Sequence, residues 1–155
     1  MLIAIGNDHH GYVLKQSILT LISELGHQYQ DVGCFDETAV DYPDIAEKVA
    51  NAVAQGEADK GVLICGNGIG MSISANKIPG ARAALCTDTL LARMARQHND
   101  ANILCMGGAT MGDWLALEIA RTFLTSQFEG DRHTSRVNKI TALERQQRAA
   151  PSKAS

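Results

Sequence analysis

The residue best suited to catalysis is a cysteine at the start of a glycine-rich segment. Cys65 is followed by Gly66, Gly68 and Gly70, between an apolar run and a predicted helix. Glycines there permit positive φ angles, so successive N–H groups can converge on an anion, and the helix N-terminus adds partial positive charge. The spacing is neither the dinucleotide fingerprint nor a Walker loop. The segment therefore predicts a site for a small anion or a developing oxyanion.

Cys65 itself has two interpretations. A thiol beside convergent amides is expected to be partly ionised, and a thiolate acts as a nucleophile or a base. From position alone, the alternative is a small buried apolar residue at the end of a strand. The other cysteines, Cys34, Cys86 and Cys105, have no comparable loop and are interpreted as structural.

Two histidine-containing segments are further candidates. Asp8, His9 and His10 follow the first predicted strand. Adjacent histidine side chains point apart, and no clean His/Cys/carboxylate spacing for zinc occurs elsewhere. The alternative is a polar loop in which Asp8 or His9 caps the next helix. His98, with Asn99, ends another predicted helix, where a lone histidine is commonly a surface residue.

Near the C-terminus, two arginines have the spacing of one helix face. Arg132 and Arg136 are four residues apart. A pair of guanidinium groups can grip a phosphate bidentately. The commoner explanation of such a pair is a solvated basic face.

Composition and charge narrow the class of protein. The chain has 155 residues, 45% hydrophobic and 20% charged, which suits one domain that folds without disulfides or metals. A net charge of −3, divided as −6 over residues 1–80 and +3 over residues 81–155, argues against a nucleic-acid partner. No apolar run reaches the roughly 20 residues that span a bilayer, and the start lacks signal-peptide features. We therefore expect a cytoplasmic protein with free thiols and no membrane partner.

Short apolar runs alternate with helical patterns along the chain. The alternation predicts an α/β fold with a parallel sheet between helix layers, and ligands in such folds bind at the carboxyl ends of the strands. The predicted strands are Leu2–Ile5, Gln28–Val32, Gly61–Cys65, Arg82–Cys86 and Asn102–Met106. The predicted helices are Tyr12–Leu25, Asp41 to about Gln55, a short helix ending at Lys77, Asp88–Gln97, Asp113 to about Leu124, and a C-terminal helical tail over Arg132–Arg148. Residues 149–155 are expected to form a disordered tail.

Taken in order, these motifs resemble the type B ribose-5-phosphate isomerases and the related galactose-6-phosphate isomerase subunits. Each motif alone is weak, but six in the family's order, over about residues 2–148, are highly specific. The matching segments are Asp8-His9 with Gly11-Tyr12 and Lys15, Asp41-Tyr42-Pro43, Ile64-Cys65-Gly66-Asn67-Gly68-Ile69-Gly70, Ala75-Asn76-Lys77, Arg96-Gln97-His98-Asn99, and Arg132-His133 with Arg136.

The resemblance implies a three-layer α/β/α, Rossmann-like single domain over residues 1–148 with a five-stranded parallel sheet. It implies an obligate homodimer, sometimes paired into a tetramer, whose active sites are shared between subunits. It also implies a metal-free and cofactor-free interconversion of a phosphorylated aldose and ketose through a cis-enediol.

Roles for individual residues follow from the same resemblance. Cys65 would move a proton between C1 and C2, and Asp8 would hold a substrate hydroxyl and shuttle a proton. The enediolate oxygens would be bound by the backbone amides of Gly66, Gly68, Ile69 and Gly70. Tyr42 would line the sugar pocket. The phosphate would be bound by His9, Arg132 and Arg136. The partner subunit would supply His98, which opens the sugar ring, and Asn99, which binds a hydroxyl.

One catalytic position departs from the family pattern. The loop often reads Cys-Gly-Thr-Gly, with the Thr hydroxyl assisting ring opening, and Asn67 stands there in this chain. An amide is a poor proton relay. Either His98 opens the ring alone or the substrate needs less ring opening. Ribose 5-phosphate is the default substrate, and a tetrose 4-phosphate or a hexose 6-phosphate such as allose or galactose 6-phosphate is the alternative.

Two other classes of function stay open. The first is a phosphosugar-binding module without catalysis, which Asn67 would mark. The second is a structural subunit of a hetero-oligomeric isomerase. This second class is disfavoured because the chain retains the candidate catalytic and phosphate-binding residues, which are Cys65, Asp8, His98, Arg132 and Arg136.

Overall fold

Strands and helices alternate in the computed structural model, which describes residues 1–149. The strands are β1 (Leu2–Asn7), β2 (Gln28–Asp31), β3 (Lys60–Cys65), β4 (Ala83–Leu85) and β5 (Ile103–Gly107). The helices are α1 (Tyr12–Glu24), α2 (Tyr42–Ala54), α3 (Ile69–Ala75), α4 (Thr89–Asn99), α5 (Asp113–Thr125) and α6 (Asp131–Ala149), and a 3₁₀ turn covers His9–Gly11. The strands pair in parallel in the order β2-β1-β3-β5-β4.

The sheet lies between two helix layers, as the alternating pattern predicts. One buried cluster joins α1, α4 and α5 to the face of the sheet that carries Val62 and Ile64. The other joins α2 and α3 to the face that carries Leu63 and Cys65. Successive side chains of a strand point to opposite faces, so β3 contributes to both clusters and places Cys65 beneath α2 and α3. In residues 1–149, no helix is long and apolar enough to cross a membrane.

The strand order creates a crevice between β1 and β3. The chain leaves β1 for β2 at one edge of the sheet and leaves β3 for β4 at the other edge. Ligands of open parallel sheets bind where the connections diverge in this way. The backbone N–H of Asp8 donates to the carbonyl of Ile64 at 3.1 Å, so the carboxyl ends of the two strands are joined.

The element boundaries agree with the sequence prediction apart from small differences. The prediction that β1 stops at Ile5 is wrong, because the strand continues to Asn7. Gly6 instead permits close packing, since a Cβ there would lie 2.6 Å from Cγ2 of Ile45 on α2. Helix α4 reaches Asn99, two residues beyond the prediction, and ends where Asp100 has a φ of 47°.

At the C-terminus, α6 covers the predicted helical tail. It begins at Asp131 and ends at Ala149, the first residue of the expected disordered segment. Residues 150–155 lie outside the described residues, so the rest of that expectation and the domain boundary at residue 148 stay predictions.

A buried lysine anchors the segment that leads from β2 towards α2. Lys15 on α1 is 1% exposed. Its Nζ donates to the Cys34 carbonyl at 2.6 Å and lies 2.9 Å from Oδ2 of Asp31, which is 15% exposed. Removing one partner of a buried ion pair leaves an uncompensated charge. Lys15 therefore fixes the residues after β2.

We predict that Lys15→Met lowers the free energy of unfolding by about 3 kcal/mol, because Asp31 and the Cys34 carbonyl both lose their charged donor. The measurement is urea unfolding followed by far-UV circular dichroism. Lys48→Met is the matched control, since Lys48 is exposed on α2. Equal midpoints for the two variants would show that Lys15 does not anchor this segment.

Candidate active site

A cavity of about 470 Å³ lies at the crevice between β1 and β3. Its volume is in the range of small-molecule sites. It is lined by Asp8, His10, Tyr42, Cys65, Gly66, Asn67, Ile69, Gly70 and Ile73. The segment after β1, the end of β3, the loop that follows it, α3 and the start of α2 therefore converge, as the positions of the sequence motifs predict.

Cys65 is the last residue of β3 and lies at the base of this cavity. The side chain is 4% exposed. The backbone N–H of Gly68 donates to its Sγ at 3.1 Å, and such a donor stabilises negative charge on sulfur.

The other three cysteines differ from Cys65 in their surroundings. Burial raises the pKa of the Cys86 thiol to about 12, with Asp88 adding to the shift. Burial also raises the pKa values of Cys105 and Cys34. These thiols stay protonated at neutral pH, which agrees with their interpretation as structural.

The loop after β3 needs its glycines for two separate reasons. Gly68 has a φ of 78°, and a Cβ there would lie 2.6 Å from Cδ1 of Leu85. A Cβ on Gly70 would lie 2.5 Å from Cε2 of Tyr42. The first glycine forms the left-handed turn, and the second lets the Tyr42 ring lie directly against the loop. Both shape the cavity.

Asn67 has a structural contact inside this loop. Its Oδ1 accepts the N–H of Ile69 at 3.0 Å, which closes a turn at the start of α3. The side chain is exposed, as is that of Ile69. The amide oxygen is therefore engaged by the protein, and the amide nitrogen is the group that remains for a ligand.

Asp8 both caps a turn and lines the cavity, two positions that the sequence analysis treated as alternatives. Its Oδ1 accepts the N–H groups of His10 at 3.0 Å and Gly11 at 3.2 Å. It caps the 3₁₀ turn, and the prediction that it caps α1 is wrong because Gly11 is the residue before that helix. Within residues 1–149, Oδ2 makes no hydrogen bond and is left for a ligand.

The structure separates the two adjacent histidines. His10 lines the cavity, and His9 is not among the lining residues. The His9 ring lies 4.1 Å from the His10 ring, and its Nδ1 is buried with no hydrogen-bond partner in the described chain. The sequence analysis named both histidines but gave a role only to His9, because only the path of the 3₁₀ turn decides that the His10 ring faces Gly66.

A second cavity, of about 320 Å³, contains the histidine of α4. His98 and Asn99 line it together with Leu91 and Met94, and it shares no lining residue with the first cavity. The two predicted parts of the site therefore occupy separate cavities of one chain.

A stacked histidine pair links this second cavity to α6. The His98 ring lies 4.2 Å from the His133 ring at an interplanar angle of 6°. Nε2 of His133 accepts from Nε of Arg132 at 3.3 Å. Burial and the charges of His98, Arg132 and Arg136 lower the pKa of His133, so its ring is neutral at pH 7. Arg132 and Arg136 themselves are exposed on α6.

Glu129 is a functional candidate that the sequence analysis missed. Its Oε2 lies 3.8 Å from Nε2 of His98 and 3.7 Å from Nε2 of His133. No spacing along the sequence could have revealed that Glu129 lies near His98 and His133. The three residues belong to the segment before α6, to α4 and to α6.

Fold and site together define a Rossmann-like α/β/α protein whose thiol faces a sugar-sized cavity at the switch point. The chain belongs to the Ribose/Galactose Isomerase family, whose model matches residues 3–140. It is therefore an isomerase, and the family resemblance seen in its motifs is confirmed.

Individual relatives cover nearly the whole chain. The ribose-5-phosphate isomerase B of Escherichia coli (strain K12) is 46% identical over 142 residues, 92% of this chain and 95% of the relative. A putative sugar phosphate isomerase of Bacillus subtilis (strain 168) is 50% identical over 145 residues, 93% of this chain and 97% of the relative. The structure of the Clostridium thermocellum ribose-5-phosphate isomerase B has a TM-score of 0.93 at 50% identity, covering 95% of this chain and 99% of that one.

We predict that Gly68→Ala destabilises the protein by about 3 kcal/mol, through the left-handed backbone and the overlap with Leu85. Gly66→Ala is the matched control in the same loop, because the nearest atom to its added Cβ is 3.6 Å away. Urea unfolding of both variants measures the difference. Equal stability would contradict the assignment of Gly68 as the strained turn.

Proposed function

We propose that this protein interconverts ribose 5-phosphate and ribulose 5-phosphate. The observation that carries the proposal is the position of Cys65, whose Sγ meets the Gly68 amide at 3.1 Å in a cavity at the switch point. The relative from Escherichia coli that is named a ribose-5-phosphate isomerase B supports the choice of substrate. So does the structure of the Mycoplasma genitalium enzyme with bound ribulose-5-phosphate, which is 38% identical.

In the proposed mechanism, Cys65 moves the carbon-bound proton. The thiolate takes the proton from C2 of the open-chain aldose and becomes a thiol. The thiol then gives the proton to C1, which restores the thiolate. Backbone amides of the loop Gly66–Gly70 stabilise the enediolate oxygen that forms between the two steps. Asp8 carries the hydroxyl proton from O2 to O1 through its Oδ2. Each of these steps uses a protein group, so no cofactor is required.

Ring opening precedes the proton transfer and is assigned to His98. Asn67 is the other candidate, but its Oδ1 already accepts the Ile69 N–H, which supports a role in shaping the loop. Asn99 binds a sugar hydroxyl, and Tyr42 lines the sugar pocket. The phosphate is bound by His9, Arg132 and Arg136.

We propose that two copies of the chain share each active site. Cys65 and His98 line separate cavities of one chain, and an apolar surface on α3 and α4 adjoins both. The exposed side chains of this surface are Ile69, Ile73, Leu90, Leu91 and Met94. Exposed apolar side chains beside both parts of a divided site are expected at an interaction surface. In a homodimer with twofold symmetry the surface is covered by its own copy.

A cytoplasmic location belongs to the same proposal. Cys34, Cys65, Cys86 and Cys105 are all free and buried, and free thiols are typical of a reducing compartment.

We predict that Cys65→Ala lowers kcat for ribose 5-phosphate by about three or more orders of magnitude, because it removes the acid–base group. Proton NMR in heavy water follows both ketose formation and deuterium entry at C2 of the recovered aldose. Cys105→Ala is the matched control, since that buried thiol lines neither the first cavity nor the second.

The outcomes separate the competing functions. Near-normal turnover of Cys65→Ala would overturn the assignment of the base. A different result would be that the unmodified protein forms no ketose from ribose 5-phosphate and exchanges no proton at its C2. In that case the same experiment with erythrose 4-phosphate and allose 6-phosphate tests the alternative substrates. Saturable binding of all three, without exchange at C2, would instead indicate a phosphosugar-binding module.

Mixing two inactive variants tests whether the site is shared. We predict that Cys65→Ala and His98→Asn, dissociated and reassociated together, recover about a quarter of the unmodified activity, because half the dimers are mixed and each mixed dimer has one intact site. The measurement is the initial rate against the ratio of the variants. Activity no higher than the sum of the separate variants would place the whole site within one chain.

A further inference from the structure

One histidine lines the active-site cavity and takes no part in the proton transfers of Cys65 and Asp8. His10 belongs to the 3₁₀ turn after β1, and its side chain is exposed at the cavity. A Cβ added to Gly66 would lie 3.6 Å from Cδ2 of the His10 ring. The imidazole therefore lies beside the residue that joins Cys65 to Asn67, across the crevice between β1 and β3.

The backbone of His10 is held in place by two contacts. Its N–H donates to Oδ1 of Asp8 at 3.0 Å. Its carbonyl oxygen would lie 2.6 Å from a Cβ added to Gly108, so the turn packs closely against the segment after β5. Within residues 1–149, neither nitrogen of the His10 ring makes a hydrogen bond. Both nitrogens are therefore available to a substrate in the cavity.

The proposed substrate is cyclic before it reacts. Because O5 of ribose 5-phosphate is esterified, the sugar closes a five-membered ring through O4 and C1. Opening this ring needs a base that takes the proton from the hydroxyl on C1 and an acid that protonates O4. C1 is also the carbon that receives the proton from Cys65, so the base must lie within reach of the Cys65 cavity.

The cavity contains few groups that can act as this base. Its lining residues with acid–base chemistry are Asp8, His10, Tyr42 and Cys65. Cys65 and Asp8 must be ionised for the steps that follow, so neither can keep the proton of the C1 hydroxyl. A phenol is a poor base at neutral pH, and an amide such as that of Asn67 is a poor proton relay. Imidazole exchanges protons readily near neutral pH, which leaves His10 as the base.

We propose that His10 is the base of ring opening and that it acts together with His98. The imidazole of His10 takes the proton from the hydroxyl on C1, and the electron pair of that O–H bond forms the C1=O1 double bond. The C1–O4 bond breaks with its electron pair on O4, which takes a proton from the imidazolium of His98, contributed to the shared site by the second copy. His10 ends protonated and His98 neutral, and both recover by proton exchange with water. The proposal rests on ribose 5-phosphate as the substrate in the proposed function.

Anomer exchange measures ring opening without isomerisation. Opening and reclosing the ring interconverts the α and β anomers of ribose 5-phosphate and moves no carbon-bound proton. The Cys65→Ala protein is therefore expected to accelerate this exchange, which proton NMR follows by magnetisation transfer between the two anomeric C1–H signals. Adding His10→Ala or His10→Gln is expected to reduce the acceleration at least about tenfold, because neither new side chain can take the proton.

The controls separate proton transfer from a structural role. Both His10 variants keep the backbone N–H that Asp8 accepts, so the 3₁₀ turn is retained, and His10→Gln also keeps a hydrogen-bonding side chain. His27→Ala changes a histidine between α1 and β2, at the amino ends of the strands and opposite the cavity, and is expected to retain the exchange. Free imidazole is expected to restore exchange to the His10→Ala variant, because the His10 side chain is exposed.

Three results would overturn the role of His10. Exchange that His10→Ala or His10→Gln leaves unchanged would assign the base to Asp8 or another group, and loss without rescue by imidazole would indicate that the ring only shapes the cavity. No acceleration by the Cys65→Ala protein, when the unmodified protein forms ketose, would show that the open-chain sugar is taken from solution. The proposed function fails by a different result, which is anomer exchange without ketose formation by the unmodified protein. The absence of both activities would overturn the two proposals together.

Discussion

The active-site cavity depends on the backbone hydrogen bonds at the carboxyl end of β3. The carbonyl of Ile64 accepts from Asp8, which follows β1, at 3.1 Å. The carbonyl of Cys65 accepts from Gly108, which follows β5, at 2.7 Å. The central strand therefore holds the residues that leave both of its neighbours, and the positions of Asp8 and of the loop after β3 follow from these two bonds. The side chains that line the cavity, Cys65 among them, are positioned by this arrangement of the backbone.

Close approach of backbone and side chains explains why the loop is rich in small residues. Gly68 faces Leu85, and Gly70 faces Tyr42. These contacts join the loop to β4 and to α2, so the cavity wall is continuous with the packing on the α2 and α3 side of the sheet. Ile69 and Ile73 turn their side chains outward on the same short helix. The first turn of α3 thus joins the glycine-rich loop to an apolar external surface.

Local sequence patterns were sufficient to predict the fold class, the five strands and the position of Cys65. Apolar runs such as Gly61–Cys65 are recognisable because buried parallel strands are continuously apolar. The glycine spacing after that run identifies the loop. Family resemblance added residues, such as Tyr42, whose role no local pattern indicates.

Other features depend on contacts between distant segments and could not be predicted locally. The choice between His9 and His10 depends on the exact path of a 3₁₀ turn. The grouping of Glu129 with His98 and His133 depends on how α6 packs against α4. The strand end at Asn7 also depends on such a contact, because the small size of Gly6 serves the approach of α2.

The alternation of side chains along β3 links folding to the position of the proposed catalytic thiol. Val62 and Ile64 face one helix layer, while Leu63 and Cys65 face the other. A shift of this strand by a single residue would turn the thiol towards α1 and α5 and bury a different set of side chains on each face. Cys65 therefore cannot be moved by a one-residue insertion or deletion without exchanging the two cores. The position of the thiol is therefore constrained by the same periodicity that forms the sheet.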